Sequence, residues 1–257
     1  MAIDFDLEDG VAIITINRPE RRNALDAEHY DLLSKAWARV RDDNEVRVGI
    51  ITGAGDKAFC AGADIKSFVG REVELSELWL TQKGQLLNRG LEIWKPIIAA
   101  VNGVCVGGGM TLLLATDIRL SVESATFGVS EVKRGIIAAN GGTQRIMQQL
   151  PYAIAMEMLL TGDSLNAQTA LRWGLINRVV PAAQLRSEAI SVAKRIAENA
   201  PLALQAAKEL AIRSRDMDLP TGLRMEQLVN RILHHSEDTA TAKAAFAEKR
   251  KPTFKGR

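Results

Sequence analysis

The sequence predicts an α/β protein in which a strand–turn–helix core gives way to a helical appendage. Three observations carry this. Apolar runs at Val11–Ile16, Val46–Thr52 and Ile97–Val101 have the length of buried strands, and turn residues follow each one. Segments with helical spacing of apolar residues alternate with these runs through the first two thirds of the chain. From Leu185 onward the pattern is helical almost throughout, over Leu185–Asn199, Leu202–Ser214, Thr221–His234 and Thr239–Lys249, with Pro201 and Pro220 at the breaks. The change places a boundary near residue 195, giving a core of residues 1–194 and a helical region of residues 195–257.

The elements follow in order. Ile3, Phe5 and Leu7 alternate with polar residues, as on a half-buried strand, and Asp9-Gly10 is a hairpin turn signal. Asp26 is placed to cap a helix running to about Arg41, with Leu33, Trp37 and Val40 on its inner stripe. His29 is assigned to that helix's surface. Ala58–Lys66 reads as a tight loop of small residues. Leu80, Leu87, Leu91 and Trp94 predict a helix from roughly Ser76 to Trp94, stopped by Pro96. Gly141-Gly142 turns into a helix ending near Leu150, and Pro151 separates it from a helix over Ile154–Leu160. Asn166 is placed to cap Ala167–Trp173, and Val179-Val180 is a short strand.

Composition narrows the function classes. A chain of 257 residues that is 47% hydrophobic and 25% charged has ample apolar side chains for a large core. A net charge of +2 argues against nucleic acid, although basic residues gather at Lys249–Lys251 and Lys255–Arg257. Two cysteines, Cys60 and Cys105, give no disulfide framework, so the expected compartment is reducing and cytoplasmic. The first residues have no signal-peptide pattern, and no apolar run has membrane-spanning length. His234-His235 lacks further ligands at metal spacing, and no G-x-S-x-G nucleophile motif is present.

The stretch from Ile97 to Glu131 carries the chemistry. A strand, the turn Asn102-Gly103 and three glycines, Gly107–Gly109, run into the apolar segment Met110–Ala115. Glycines at a helix start expose bare backbone, and the first N–H groups of the helix have no partner within it. The positive end of the helix dipole adds to them, which suits an anion or an oxygen becoming one. The same glycines also read as a device for close helix–strand packing. The spacing is not G-x-G-x-x-G, which argues against a dinucleotide fingerprint. Thr111, three residues past Gly108, is expected directly above it.

With the glycine-rich loops placed, the chain resembles the crotonase (enoyl-CoA hydratase/isomerase) superfamily over essentially its whole length. The resemblance rests on N-R-P-E-R-R-N-A-L at Asn17–Leu25, I-I-T-G-A-G at Ile50–Gly55 and A-F-C-A-G-A-D-I-K at Ala58–Lys66. It continues with P-I-I-A-A-V-N-G-V-C-V-G-G-G at Pro96–Gly109, F-G-V-S-E at Phe127–Glu131 and G-G-T-Q-R at Gly141–Arg145. A-L-R-W-G-L-I-N-R-V-V at Ala170–Val180 and F-A-E-K-R-K-P-T-F at Phe246–Phe254 complete it. It implies a spiral of repeated ββα units with a C-terminal helical domain, trimers or hexamers, and an acyl-CoA substrate with no cofactor beyond that CoA. The thioester oxygen is expected between the backbone N–H groups of Ala63 and Gly108. Asn23, Ala24, Leu25, Ala61, Gly62, Asp64, Ile65 and Gly107 are expected to line the substrate and CoA groove. Lys66 and Lys249 are candidates to meet phosphates.

One departure stands out. Hydratases of this family use two glutamates; Glu131 matches the second, and Thr111 stands where the first belongs. A threonine hydroxyl can hold water but does not exchange a proton near neutral pH. The single carboxylate leaves three readings open: a hydratase with one acid–base residue, a Δ3,Δ2-enoyl-CoA isomerase, or an activity like that of hydroxycinnamoyl-CoA hydratase-lyases. A weakly active CoA- or RNA-binding homologue is the reading from another class.

Overall fold

The computed structural model describes residues 2–68 and 85–257. β1 (Ile3–Glu8) and β2 (Val11–Ile16) form a hairpin turned at Asp9 and Gly10, both at positive φ. α1 (Ala27–Asp42) begins where the Asp26 carboxylate accepts the His29 N–H at 3.1 Å. β3 (Val48–Gly53), β4 (Ala58–Cys60) and the short α2 (Ile65–Phe68) follow. Next come β5 (Ile97–Val101), β6 (Val104–Val106) and α3 (Gly108–Leu113), then β7 (Ile118–Val122) and β8 (Thr126–Gly128). A 3₁₀ turn, Glu131–Arg134, leads on to α4 (Gly142–Gln149), α5 (Tyr152–Thr161), β9 (Ser164–Asn166), α6 (Ala167–Arg172) and β10 (Arg178–Val180). The chain ends in α7 (Leu185–Ala197), α8 (Pro201–Arg213), α9 (Leu219–Leu233) and α10 (Glu237–Ala247).

Among the described residues the strands form two sheets, ordered β1-β2-β3-β5-β7-β10 and β4-β6-β8-β9. From β3 to β8, consecutive strands therefore alternate between sheets. β3, β5 and β7 lie parallel in the larger one, and β4, β6 and β8 lie parallel in the smaller one. Each pair is followed by a helix or helical turn, which is the ββα spiral. β5 is buried at every residue because the larger sheet is covered on both faces. Trp37 of α1 is fully buried in the same core, and α7 packs on β2, β3, β5 and β7 through Leu185, Ala189, Val192 and Ala193. The expected boundary at residue 195 falls in the last turn of α7.

Two asparagines lock the spiral's corners. Asn102 accepts the Gly53 N–H at 3.1 Å and donates to the carbonyls of Gly55 and Ala58. Asn23 donates to the carbonyls of Ala54 and Ala58 at 3.0 and 2.6 Å. Buried backbone carbonyls at these turns are thus satisfied by amides rather than by a ladder.

Three expectations need correction. Ala58–Cys60 is a buried strand, and only the residues after it form a loop. The helix expected to reach Trp94 lies partly outside the described residues; within them there is only the 3₁₀ turn Leu87–Arg89, ended by Gly90 at φ +87. His29 is buried, 4% exposed, with Nδ1 2.7 Å from Asp26 Oδ1.

Candidate active site

The site forms where β4 and β6 deliver their following loops to the same place. Leu25 bridges to Ala63, donating its N–H to the Gly62 carbonyl and accepting the Asp64 N–H, both at 2.8 Å. Arg18 reinforces the loop by pairing with Asp64 at 3.0 Å and Asp26 at 3.1 Å. On the other side Gly107 adopts φ 56 and ψ −123, a conformation a side chain would oppose, and hands the chain into α3. The three glycines divide the two roles the sequence left open. A Cβ on Gly109 would stand 2.2 Å from the Cys60 carbonyl oxygen, so this glycine lets α3 press onto β4. Gly107 and Gly108 border a looser space, where an added Cβ would meet nothing nearer than 3.3 Å.

That space has defined walls. A Cβ on Gly108 would lie 3.3 Å from the Tyr30 hydroxyl and 3.5 Å from Ala63 N. A Cβ on Gly62 would lie 3.0 Å from Gly108 N. The two N–H groups, Ala63 and Gly108, therefore flank one gap, and among the described residues neither is donated to a backbone acceptor. A Cβ on Gly107 would approach Glu131 Oε1 at 3.8 Å, which puts the carboxylate beside the same gap.

Glu131 opens the 3₁₀ turn Glu131–Arg134. Its basic neighbours are engaged elsewhere: Lys133 with Asp163 at 2.6 Å, and Arg134 with Ser130 Oγ at 3.0 Å. Oε2 is buried and has no hydrogen-bond partner among the described residues. Burial raises the Glu131 pKa above the usual carboxylate value; its own N–H and the Arg134 charge offset this in part. A half-buried carboxylate with a raised pKa and an unsatisfied oxygen is equipped to take and return a proton.

Thr111 is buried, as its position on α3 dictates. Its hydroxyl donates to the Gly108 carbonyl at 3.0 Å and accepts from Asn88 Nδ2 at 2.9 Å. The remaining predicted residues divide. Asn23 and Leu25 are buried, and the N–H groups of Asn23, Ala24 and Leu25 are all spent on Arg18, Arg21 and Gly62 carbonyls. These three residues brace the loop and have no N–H left to offer a ligand. Ala61 likewise donates to the Arg22 carbonyl. Ile65 is 55% exposed, an apolar side chain open to the solvent beside the loop. Lys66 and Lys249 are exposed, on α2 and beyond α10, and neither makes an ion pair among the described residues.

Sequence reasoning missed Tyr30 and Asn88. Tyr30 lies under Arg89, whose guanidinium sits 5.1 Å from the ring centre, and burial pushes its hydroxyl pKa up to about 12. Asn88 is 5% exposed, and its carbonyl accepts from Arg145 at 3.2 Å. Cys60 is inert beside the loop, its thiol pushed up to about 12 by burial.

A family model described as enoyl-CoA hydratase/isomerase matches residues 6–257. The chain is 41% identical over 256 residues to (E)-benzylidenesuccinyl-CoA hydratase of Thauera aromatica, covering 100% of each. It is 40% identical over 249 residues to carnitinyl-CoA dehydratase of Proteus mirabilis, covering 95% of this chain and 94% of that protein. Among solved structures, an enoyl-CoA hydratase from Mycobacterium marinum superposes with a TM-score of 0.91 at 38% identity, covering 99% of each chain. One from Bacillus anthracis gives 0.92 at 36% identity, covering 100% of each.

Proposed function

The chain belongs to the enoyl-CoA hydratase/isomerase family, and from that premise we propose that it adds water reversibly across the C2=C3 bond of a 2-enoyl-CoA thioester with Glu131 as its single acid–base residue. The observation that carries this is the buried, unpartnered Oε2 of Glu131 beside the gap flanked by Ala63 N and Gly108 N. The relatives named for adding or removing water from CoA thioesters support it.

The proposed step balances with one carboxylate. Ionised Glu131 takes one proton from water as the water oxygen bonds to C3. The C2=C3 electrons move into the thioester, whose oxygen becomes an enolate held by the Ala63 and Gly108 N–H groups. Donors preset for that oxygen are each worth about 3 kcal/mol where such holes have been dissected. Protonated Glu131 then returns its proton to C2, and the water's other hydrogen stays on the product hydroxyl. In this reading the only coenzyme is the CoA carried by the substrate.

A panel of 2-enoyl-, 3-enoyl- and aryl-acryloyl-CoA thioesters, followed by mass spectrometry and by the ultraviolet absorbance of the conjugated thioester, tests the assignment. A gain of 18 Da on 2-enoyl-CoA supports it. Double-bond migration in 3-enoyl-CoA without hydration replaces it with an isomerase, the reading favoured by Thr111 having its proton committed to Gly108. Loss of an aldehyde from the aryl thioester identifies a hydratase-lyase.

The same reading includes a homotrimer or hexamer in the cytoplasm, with residues 195–257 carrying the contacts. Leu219, Leu223, Leu228 and Ile232 of α9 are 73, 47, 50 and 71% exposed in the single chain, and α8 and α9 contribute no buried residue. Light scattering at micromolar concentration reads the mass; a monomer refutes this part. Among the described residues no helix is long and apolar enough to cross a membrane.

A further inference from the structure

Among the described residues four buried side-chain polar atoms have no partner, and two of them, Asn88 Oδ1 and Glu131 Oε2, belong to this site. A buried acceptor with nothing to accept from is costly, and native structures keep few of them. Asn88 is held at its backbone and at its side chain. Arg145 holds its backbone carbonyl at 3.2 Å, and its Nδ2 donates to Thr111 Oγ1 at 2.9 Å. The orientation of the amide follows from Thr111. Because the threonine proton goes to the Gly108 carbonyl, the Asn88 atom facing Thr111 must be a donor, so Oδ1 is the atom left over.

We propose that Asn88 Oδ1, positioned through Thr111, is the acceptor that holds the hydrogen of the adding water or of the product 3-hydroxyl, on the flank where the family resemblance leads one to expect a second glutamate. The inference rests on the single-glutamate hydration proposed above. In that reaction one water hydrogen passes through Glu131 to C2, and the other is never transferred. The second group therefore needs a lone pair, not a pKa, and a neutral amide oxygen supplies it. A neutral flank also leaves no like charge to oppose ionisation of Glu131, which burial already hinders. The substrate class this selects is a 2-enoyl thioester taken with water, or the 3-hydroxyacyl thioester it becomes, whose C3 hydroxyl donates a hydrogen bond.

The test separates water holding from the rest of the site. Wild type, Asn88→Ala, Thr111→Val and the double variant are compared in two assays. One is hydration of crotonyl-CoA. The other is exchange of the C2 hydrogens of butyryl-CoA in D₂O, which needs Glu131 and the two N–H donors but no water at C3. Hydration is expected to fall roughly 10- to 100-fold in Asn88→Ala, by loss of positioning, while exchange stays within about twofold. Asn88→Ala and Thr111→Val together are expected to cost less than the product of the two, because they act as one unit. Equal loss in both assays marks Asn88 as merely structural and overturns the proposal, as does wild-type hydration in Asn88→Ala. Wild type that neither hydrates nor exchanges overturns the proposed function itself, and this inference falls with it. Wild type that exchanges without hydrating leaves Glu131 and the donor pair standing but overturns the hydration reading and this proposal with it.

Discussion

The two flanks of the glycine turn at Gly107–Gly108 are built from opposite materials. On one side Glu131 is ionisable, under-solvated and short of a partner. On the other, Thr111 and Asn88 are neutral and bonded to each other, to Gly108 and to Arg145. A reaction that moves one proton twice needs one such carboxylate, and the opposite flank needs only to point lone pairs. The difference is between a flank that can carry a proton and one that presents only lone pairs: Thr111 keeps its hydroxyl on the Gly108 carbonyl, and the Asn88 amide reaches it from a distant turn.

The largest effect is expected from removing the ionisable flank. Glu131→Gln keeps the shape and should lower crotonyl-CoA hydration by about 10² or more; turnover within tenfold of wild type places the base elsewhere. The pH profile sharpens the point. The proposed hydration uses ionised Glu131, so its rate should fall with acid around a midpoint above the ordinary carboxylate range. The sign for stability is the reverse. A carboxyl whose pKa is raised on folding binds its proton more tightly in the native state. Its contribution is therefore present below the unfolded pKa and is lost as pH rises through the folded one. Glu131→Gln should thus melt no lower than wild type at pH 8, and lose that advantage near pH 4. Lower stability at pH 8 breaks the contrast between the flanks.

Much of this site is legible in the sequence, because its backbone half is local. The glycines before Met110 point to an unpaired N–H group at a helix start, Ala63 enters through the family resemblance, and Thr111 follows from helical spacing. What escapes is the side-chain half brought in by tertiary packing. Asn88 joins Thr111 across 23 positions, from a turn with no periodic signal. Tyr30 and His29 had a signal that went unused: they stand three and four residues before Leu33 and so extend the Leu33–Trp37–Val40 stripe toward the core. The spiral itself leaves no sequence period, because residues 61–96 separate β4 from β5 while only residues 107–117 separate β6 from β7. The family motifs supply what periodicity does not.

A second, intermediate effect comes from trying to make the flanks alike. Thr111→Glu restores the two-carboxylate pattern on paper. In the structure Thr111 is 2% exposed, and a Cβ on Gly142 would stand 2.8 Å from its Cγ2. A larger, charged side chain has to displace the Asn88 amide. The expected outcome is a loss of about 1–3 kcal/mol of stability from overpacking, read by denaturant unfolding, with no gain in hydration. Faster hydration at wild-type stability would show that this flank has room and that its neutrality is incidental.

The smallest effect is expected one step further back, at Arg145. Its Nη1 donates to the carbonyls of Asn88 and Asn140, at 3.2 and 3.0 Å, and burial together with the Arg215 charge lowers its pKa without removing its charge. It touches neither Glu131 nor the N–H pair among these bonds, so it acts on the neutral flank alone. Arg145→Lys keeps the charge but exchanges a planar fork for a single ammonium, which cannot reproduce the same hold on both carbonyls. One hydrogen bond, worth about 1 kcal/mol, corresponds to a loss of about fivefold in hydration kcat. KM and the butyryl-CoA exchange rate should stay near wild type, because the oxyanion donors and Glu131 are undisturbed. If exchange drops in step with hydration, Arg145 supports the whole site, and the two flanks are not separable in the way their chemistry implies.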